Sequence, residues 1–288
     1  MASLDDLKKR ITSVKSTQKI TKAMKMVAAS KLRRAQENAE KGRPYSDKMN
    51  NIILNLSNSI SDKENSPKLL TGSGEDKIHL CVVMTSDRGL CGGFNSNIIK
   101  EVNNIKTTSA SKRVDLLTIG KKGDDILSKK FEVISSHNDV YDNFNYNNIK
   151  EIAETVMQKF SDKEYDEVKL VYNHFKNAAT QIVIKEQYLP IEESADENNS
   201  VSGDYIFEPN RAKILNELIP KSLSIQLFKA ISDSVAGEHG ARMTAMHKAT
   251  DNASELRDQL KLTYNKARQT AITNEILEIV GGAEALNS

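Results

Sequence analysis

Residues 3–36 read SLDDLKKRITSVKSTQKITKAMKMVAASKLRRAQ, and this stretch decides the fold. Neither Gly nor Pro occurs in residues 1–41, so nothing in this part of the chain interrupts a helix. Ser3 and Asp6 have the spacing of an N-terminal capping box, in which each side chain bonds to the backbone N–H of the other residue. The sequence therefore predicts a long helix that begins at Ser3.

The apolar residues of this helix predict that one of its faces packs against a partner. The first four follow the 3-4-3 spacing of one helix face, and four more continue the stripe with a drift in register. These residues are Leu4, Leu7, Ile11, Val14, Ile20, Met24, Val27 and Leu32. Gly42 and Pro44 predict a local break, after which residues 52–60 resume helical spacing.

The middle of the chain has a different period. Four short runs are apolar and rich in β-branched residues, as strands are: residues 78–85, 114–119, 168–172 and 180–185. Segments with helical spacing lie between them, at residues 95–104, 121–130 and 147–160. Alternating strands and helices predict an α/β layer domain with a largely parallel sheet.

After Pro209 the helical pattern returns, and residues 241–280 contain neither Gly nor Pro. Small residues dominate the heptad seam that we predict here, which allows another helix to approach closely. The seam consists of Met246, Ala249, Ala253, Leu256, Leu260, Thr263 and Ala267. A helix of about 70 residues is on the order of 100 Å long, too long for the α/β domain to cover. The two terminal helices are therefore expected to pack against each other.

These patterns together predict a mixed α/β fold class. We expect a long antiparallel two-helix coiled coil, formed by the N- and C-terminal segments, with an inserted Rossmann-like α/β domain. The predicted boundaries are residues 1–60 for the N-terminal helix, 61–208 for the inserted domain and 209–288 for the C-terminal helix.

The net charge of the 288-residue chain is +2, but the charge is unevenly distributed. Residues 1–48 contain 13 Lys or Arg and 5 Asp or Glu, a net charge of +8, whereas residues 49–208 contain 18 and 25, a net charge of −7. Ten basic residues and no acidic one lie between residues 8 and 36. This basic helix could follow a nucleic-acid backbone or face acidic loops of a protein. Composition leaves both hypotheses open, although residues 1–44 contain no aromatic side chain that could stack on bases.

Several classes of protein are excluded by what the sequence lacks. No apolar run approaches the roughly 18 to 20 residues of a membrane span, and no secretory signal is visible at the start. Cys81 and Cys91 are too few for a disulfide framework or a CxxC metal site, and the five histidines have no metal-ligand or triad spacing. We therefore expect a soluble protein of a reducing compartment, with no catalytic residue, cofactor or metal.

Residues 85–95, TSDRGLCGGFN, follow a predicted strand and open a predicted helix, where phosphate-binding loops occur. The segment matches neither G-x-G-x-x-G nor G-x-x-x-x-G-K-[ST], and no Lys follows its glycines to reach a phosphate. The alternative is a tight strand-to-helix turn whose backbone geometry requires glycine. We favour the turn over the nucleotide site.

Three blocks of sequence resemble one family. They are STQKITKAMKMVAASK at residues 16–31, DRGLCGG at residues 87–93 and ITNEILEIVGGA at residues 272–283, with further likeness at residues 251–253 and 264–269. The blocks lie in all three predicted segments and occur in the family's order. The chain resembles the gamma subunit of the F-type ATP synthase, whereas residues 45–76 and 192–203 match that family little.

The resemblance implies a non-catalytic subunit that couples ion flow through a membrane ring to ATP synthesis or hydrolysis by rotation. The implied partners are a ring of three alpha and three beta subunits, an epsilon subunit and the membrane c-ring, with no nucleic acid and no cofactor. The implied location is peripheral, at the cytoplasmic face of the bacterial inner membrane or an equivalent energy-transducing membrane. The alternative function is a basic coiled-coil protein that binds nucleic acid.

The resemblance also implies roles for residues on the two terminal helices. Met24 and Lys25 match the family position that faces an acidic loop of the beta subunits. Arg242, Arg268 and Gln269 match residues that hydrogen-bond the loops of the alpha-beta ring around the helices, contacts that suit a planar Arg side chain.

Two further residues are assigned by resemblance to contact with the membrane ring. Tyr205 and Glu208 match the foot of the family, which seats on polar loops of that ring. The photosynthetic branch of the family carries a cysteine-bearing regulatory loop in the comparable region. Residues 192–203 contain no Cys, so thiol regulation is not expected.

Overall fold

The structure is a computed structural model that describes residues 3–58, 68–72, 77–108, 113–141, 144–191 and 211–287. Its helices are α1 (Leu4–Asn58), α2 (Lys68–Thr71), α3 (Phe94–Thr108), α4 (Lys121–Leu127), α5 (Tyr146–Ser161) and α6 (Arg211–Asn287). Its strands are β1 (Ile78–Met84), β2 (Arg113–Ile119), β3 (Val133–His137), β4 (Glu167–Asn177) and β5 (Thr180–Leu189). The predicted domain boundaries at residues 60 and 208 stay a prediction, because residues 59–67 and 192–210 lie outside the described part.

The chain divides into two compact units, and α1 and α6 contribute to both. The helical unit consists of Met1–Ala28 and Met243–Ser288, and the sheet unit consists of Ala29–Arg242. In the helical unit, α1 begins with the predicted capping box. The backbone N–H of Asp6 donates to Ser3 Oγ over 3.2 Å, and the N–H of Ser3 donates to Asp6 Oδ2 over 3.3 Å.

In the helical unit the two helices form an antiparallel pair. The hydroxyl groups of Thr21 and Thr250 lie 2.8 Å apart, and Arg257 Nη1 donates to Gln18 Oε1 over 3.2 Å. Residue numbers rise on α6 as they fall on α1, which is the antiparallel arrangement that the sequence predicts. In this unit the less exposed residues of α1 are Leu4, Leu7, Ile11, Val14, Gln18, Thr21, Met24, Lys25 and Ala28, and all of them except Met24 follow an unbroken 3-4 repeat.

The predicted seams of both helices were wrong in part. Ile20 and Val27 are exposed on α1, and Leu256 is 46% exposed on α6. The seam of α6 runs instead through Met246, Thr250, Ala253, Arg257, Leu260, Tyr264, Ala267 and Ala271. Hydrogen-bonding residues such as Thr250 and Arg257 occupy some seam positions of α6, so the heptad repeat continues through positions that are not apolar. An apolar residue one position away from the seam therefore faces outward.

The predicted break at Gly42 and Pro44 was also wrong, because α1 continues through both residues to Asn58. A proline inside a helix removes one backbone hydrogen bond and costs about 3 kcal/mol. Pro44 itself is exposed, whereas Leu32 and Met49 on either side of it are buried in the sheet unit. Packing on both sides of the proline offsets the lost bond, so the helix does not end there.

The sheet unit contains a five-stranded sheet in the order β3-β2-β1-β4-β5. Strand β1 is parallel to β2 and to β4, β2 is parallel to β3, and β5 is antiparallel to β4. The order matches the first five strands of a Rossmann-type sheet and confirms the predicted alternation of strands and helices. β3 was not predicted, because its sequence, VISSH, is an edge strand with two serines and no continuous apolar run.

Both faces of the sheet are covered by helices. On β1, Leu80, Val82 and Met84 join a core cluster with residues of α5 and α6. Cys81 and Val83 point to the opposite face and join a second cluster with residues of α3. A parallel sheet covered on both faces has strands that are apolar throughout, which is why β1 was recognisable from sequence.

No helix within the described ranges is long and apolar enough to cross a membrane.

Candidate functional site

The glycine-containing loop after β1 is fixed to the neighbouring strand and helix at its base. The backbone N–H of Thr85 donates to the carbonyl of Ile119 over 2.7 Å, and the Thr85 hydroxyl accepts from the N–H of Gly123 over 2.8 Å. Gly120 has a φ of +100°, and a Cβ atom there would lie 1.9 Å from the carbonyl oxygen of Thr85. Only glycine permits this close approach of two backbone segments.

Within the loop, polar side chains bond to one another. Ser86 Oγ donates to the carbonyl of Arg88 over 2.7 Å and accepts from Asn95 Nδ2 over 2.7 Å. Asn95 Oδ1 accepts from the N–H of Ser86, and Asn95 Nδ2 lies 3.4 Å from Cys91 Sγ. This self-bonded arrangement favours the turn hypothesis for residues 85–95 over the nucleotide site.

The tip of the loop has an unusual backbone. Leu90 has a φ of +66° and is 65% exposed, and Gly92 has a φ of +60°. A branched side chain rarely adopts the left-handed region, and such a residue persists only where its surroundings hold it. The loop therefore presents an apolar side chain in a constrained conformation.

Arg242 of α6 forms hydrogen bonds to this loop. Its guanidinium is 12% exposed and forms an ion pair with Glu238 one turn earlier. Its Nη2 donates to the carbonyls of Arg88 and Gly89 over 3.0 and 3.2 Å. His239 Nδ1 lies 2.7 Å from Glu238 Oε2 on the other side of the carboxylate. Burial alone would raise the pKa of Glu238, but His239 and Arg242 outweigh it and hold that pKa below its usual value.

The helical unit exposes apolar residues among basic ones on α1. We call this the α1 surface: Lys19, Ile20, Lys22, Met26 and Val27, all of them exposed. The predicted contact residues Met24 and Lys25 are half-buried beside it. A helix face that is both basic and apolar is suited to an acidic protein surface.

The C-terminal end of α6 exposes a second apolar surface in the helical unit. Ala271 is half-buried, and every residue from 272 to 283 is exposed. We call residues 272–283 the α6 end. It includes Leu277, 64% exposed, and Ile279, 71% exposed. Contiguous exposed apolar residues of this kind mark a site of interaction with a partner.

The structure separates the predicted contact residues into groups. Arg268 and Gln269 are exposed on α6, next to the α6 end. They lie on the order of 30 Å along the helix pair from Met24 and Lys25, at 1.5 Å per residue. Tyr205 and Glu208 lie outside the described residues.

Arg242 differs from the other predicted contact residues, because its donors are used within the chain. Sequence reasoning missed its partner, Glu238, although the spacing of four residues between an acidic and a basic side chain is the signal of a helical ion pair. The loop carbonyls could not be found from sequence, because they lie about 150 positions away. In the described ranges, no group of three or more His, Cys, Asp or Glu residues is arranged to hold a metal ion.

The sequence is similar to that of proteins with one common name. A family model described as ATP synthase matches residues 3–286. The ATP synthase gamma chain of Pelagibacter ubique is 54% identical over 99% of this chain and 100% of that protein. The ATP synthase gamma chain of Flavobacterium johnsoniae is 55% identical over the whole of both chains.

The fold is also similar to solved structures. A chain in the central stalk and c-ring structure of the Tetrahymena thermophila mitochondrial ATP synthase aligns with a TM-score of 0.61 and 32% identity, over 80% of this chain and 99% of that one. A chain in the rotor of the Euglena gracilis mitochondrial ATP synthase aligns with a TM-score of 0.66 over 93% of this chain and 98% of that one. At 18% identity, the second likeness concerns the fold alone. Because the family model and the gamma-chain sequences match this chain along essentially its whole length, the chain belongs to the ATP synthase gamma-chain family.

Proposed function

We propose that this chain is the rotating central shaft of an F-type ATP synthase. It couples ion flow through a membrane ring to ATP synthesis or hydrolysis in a ring of three alpha and three beta subunits. Catalysis takes place in those subunits, and this chain supplies no catalytic residue. The observation that carries the proposal is the α6 end, an exposed apolar surface in a chain of the gamma-chain family.

The exposed apolar residues of the α6 end support the proposal that a partner encloses this part of the helix. Burying a side chain the size of Leu277 or Ile279 contributes about 1.5 to 3 kcal/mol, which the isolated chain leaves unused. Arg268 and Gln269 lie beside this surface and are exposed, so they can bond polar groups at the rim of an apolar contact. An alpha-beta ring around α6 would provide both kinds of contact.

The α1 surface supports contact with an acidic loop of the beta subunits. Its lysines attract carboxylates, and its apolar residues allow the contact to form and break as the shaft turns. Charge across such an interface contributes orientation and association rate more than affinity. Met24 and Lys25 belong to the same contact.

Rotation produces coupling because one asymmetric shaft meets three chemically identical sites differently. Each orientation of the shaft favours a different set of conformations in the ring, and by linkage the state of the sites favours an orientation of the shaft. Long helices that continue through Pro44 and Pro220 suit this task, because torque requires stiffness.

At the membrane side we propose contacts of the sheet unit with an epsilon subunit and with the c-ring. Tyr205 and Glu208 are the proposed foot on that ring. The Tetrahymena relative comes from a structure of a central stalk with its c-ring, which supports the proposed contact with a c-ring. The chain is then peripheral, bound through the complex at the cytoplasmic face of the bacterial inner membrane or an equivalent membrane.

The proposal is tested by assembling the remaining subunits of an F-type ATP synthase in vesicles, with and without this chain. We expect ATP-driven ion pumping only when the chain is present, and no ATP hydrolysis by the chain alone. Failure of the chain to join the alpha and beta subunits, or hydrolysis by the isolated chain, would contradict the proposal.

A further inference from the structure

We propose that Arg242 is a positioning residue that fastens the β1–α3 loop, residues 87–93, to α6. It holds the loop tip in one exposed conformation and makes the loop and this part of α6 a single rigid element. The structural part of the inference stands on contacts within the chain. Its consequence for torque rests on the proposed function.

The contacts use the forked shape of the guanidinium. Nη1 is paired with the carboxylate of Glu238, and Nη2 donates to two successive carbonyls, those of Arg88 and Gly89, over 3.0 and 3.2 Å. A planar fork can make these bonds in different directions at once, whereas a lysine ammonium is a single point. The geometry therefore requires arginine and not only a positive charge.

Glu238 fixes the direction in which the fork points. Its side chain is 5% exposed, so the ion pair is removed from solvent screening, and His239 contacts the same carboxylate. Buried pairs of this kind lose much when one partner is removed, because the other charge stays buried without compensation. Arg242 is therefore oriented before any partner subunit binds.

The loop requires the bonds from Arg242 because Leu90, the residue after the two carbonyls, has an unfavourable backbone conformation. Leu90 comes directly after Gly89 and holds a φ of +66°, which a leucine does not adopt without support. Ser86 Oγ supports the same carbonyl of Arg88 from inside the loop. Arg242 supplies the support from outside, so that the exposed Leu90 is presented in a defined position.

These contacts with Glu238 and the loop also explain why Arg242 differs from Arg268. Arg268 is exposed on the helical unit, whereas Arg242 has its Nη1 and Nη2 donors committed within the sheet unit. We therefore assign Arg242 to the positioning of the loop and leave direct contact with the ring to Arg268 and Gln269.

The test uses the two cysteines of the full-length chain as reporters. Cys91 lies inside the loop and is 2% exposed, whereas Cys81 is fully buried in β1. Burial raises the pKa of Cys81 to about 12, so that thiol reacts only when the sheet opens. Alkylation of each cysteine is followed over time by mass spectrometry of its own peptide.

Arg242→Gln should accelerate alkylation of Cys91 by roughly tenfold or more, the scale of one lost charge-assisted hydrogen bond, and leave the rate at Cys81 unchanged. Arg242→Lys should give an intermediate rate. Arg33→Gln is the matched control, because Arg33 forms an exposed ion pair with Glu37 at the same spacing in the same unit. It should change neither rate.

An unchanged Cys91 rate in Arg242→Gln, or equal acceleration of both cysteines, would overturn the positioning role. For the consequence, ion pumping per ATP hydrolysed is measured in assembled complexes. Arg242→Gln should lower that ratio, and Arg33→Gln should not; equal ratios would overturn the link to torque. If the unsubstituted chain does not assemble at all, the proposed function fails while the cysteine result still decides the positioning role.

Discussion

At Gly120 the surrounding backbone leaves no room for a side chain. A Cβ atom there would lie 1.9 Å from the carbonyl oxygen of Thr85, and its φ of +100° is unfavourable for any other residue. We expect Gly120→Ala to lower the free energy of unfolding by more than about 3 kcal/mol, since backbone must move. Urea denaturation followed by circular dichroism measures this. Gly89→Ala is the control, because nothing lies within 4 Å of a Cβ atom there, and a loss of similar size would contradict the steric explanation.

Glu238 makes the stability of the sheet unit depend on pH. Its pKa is lowered by His239 and Arg242 against the opposing effect of burial, so the folded chain binds this proton less tightly than the unfolded chain. Its stabilising contribution is complete above the unfolded pKa of about 4.3 and is lost as pH falls through the lower folded value. We expect Glu238→Gln to cost stability at pH 7, and we expect this cost to shrink as pH falls below the unfolded pKa of about 4.3. Urea midpoints over a series of pH values from 7 downward test this, and a difference independent of pH would exclude the carboxylate as the cause.

At the scale of elements, hydrophobic period predicted which segments are helices and strands, but not which helix face is buried. The apolar side chain of Leu256 predicted a seam position, but Arg257 occupies the seam instead and donates to Gln18. Pro44 likewise indicated a break from local chemistry, and packing on either side of it prevailed. Local propensity is decided within a few residues, whereas the register of a helix pair depends on partners that lie more than 200 positions apart.

The position of the seam can be tested directly. Ala253 is buried in the helix pair, and the small side chain there lets the helices approach. Ala253→Leu should therefore lower the free energy of unfolding by about 1 to 3 kcal/mol through overpacking. Leu256→Gln should change it by less than about 0.5 kcal/mol, because Leu256 lies outside the seam. Thermal unfolding measures both, and a larger effect of Leu256→Gln would restore the seam expected from sequence.

At the scale of the whole molecule, the surfaces that matter are those the chain does not cover itself. The contact roles proposed for Arg268 and Gln269 rest only on resemblance to a family, because an exposed polar residue on a helix carries no physical sign of what it contacts. Arg242 is different. The spacing of four residues predicts its ion pair with Glu238, whereas its bonds to the loop carbonyls can be recognised only in the folded structure. The contacts within one chain show which side chains already have partners there. Exposed apolar side chains then indicate where another subunit binds.

At the α6 end, this interpretation can be tested by measuring stability and binding. Leu277 and Ile279 are 64% and 71% exposed, so replacing both by Ser should change the stability of the isolated chain by less than about 0.5 kcal/mol. In an alpha-beta ring that buries them, the same change should weaken association by roughly 3 to 6 kcal/mol, or at least a hundredfold. Lys261→Ser is the control, an exposed residue of α6 outside the α6 end. Binding of alpha and beta subunits to the immobilised chain measures both, and undiminished affinity of the double variant would mean that this apolar surface is not enclosed by the ring.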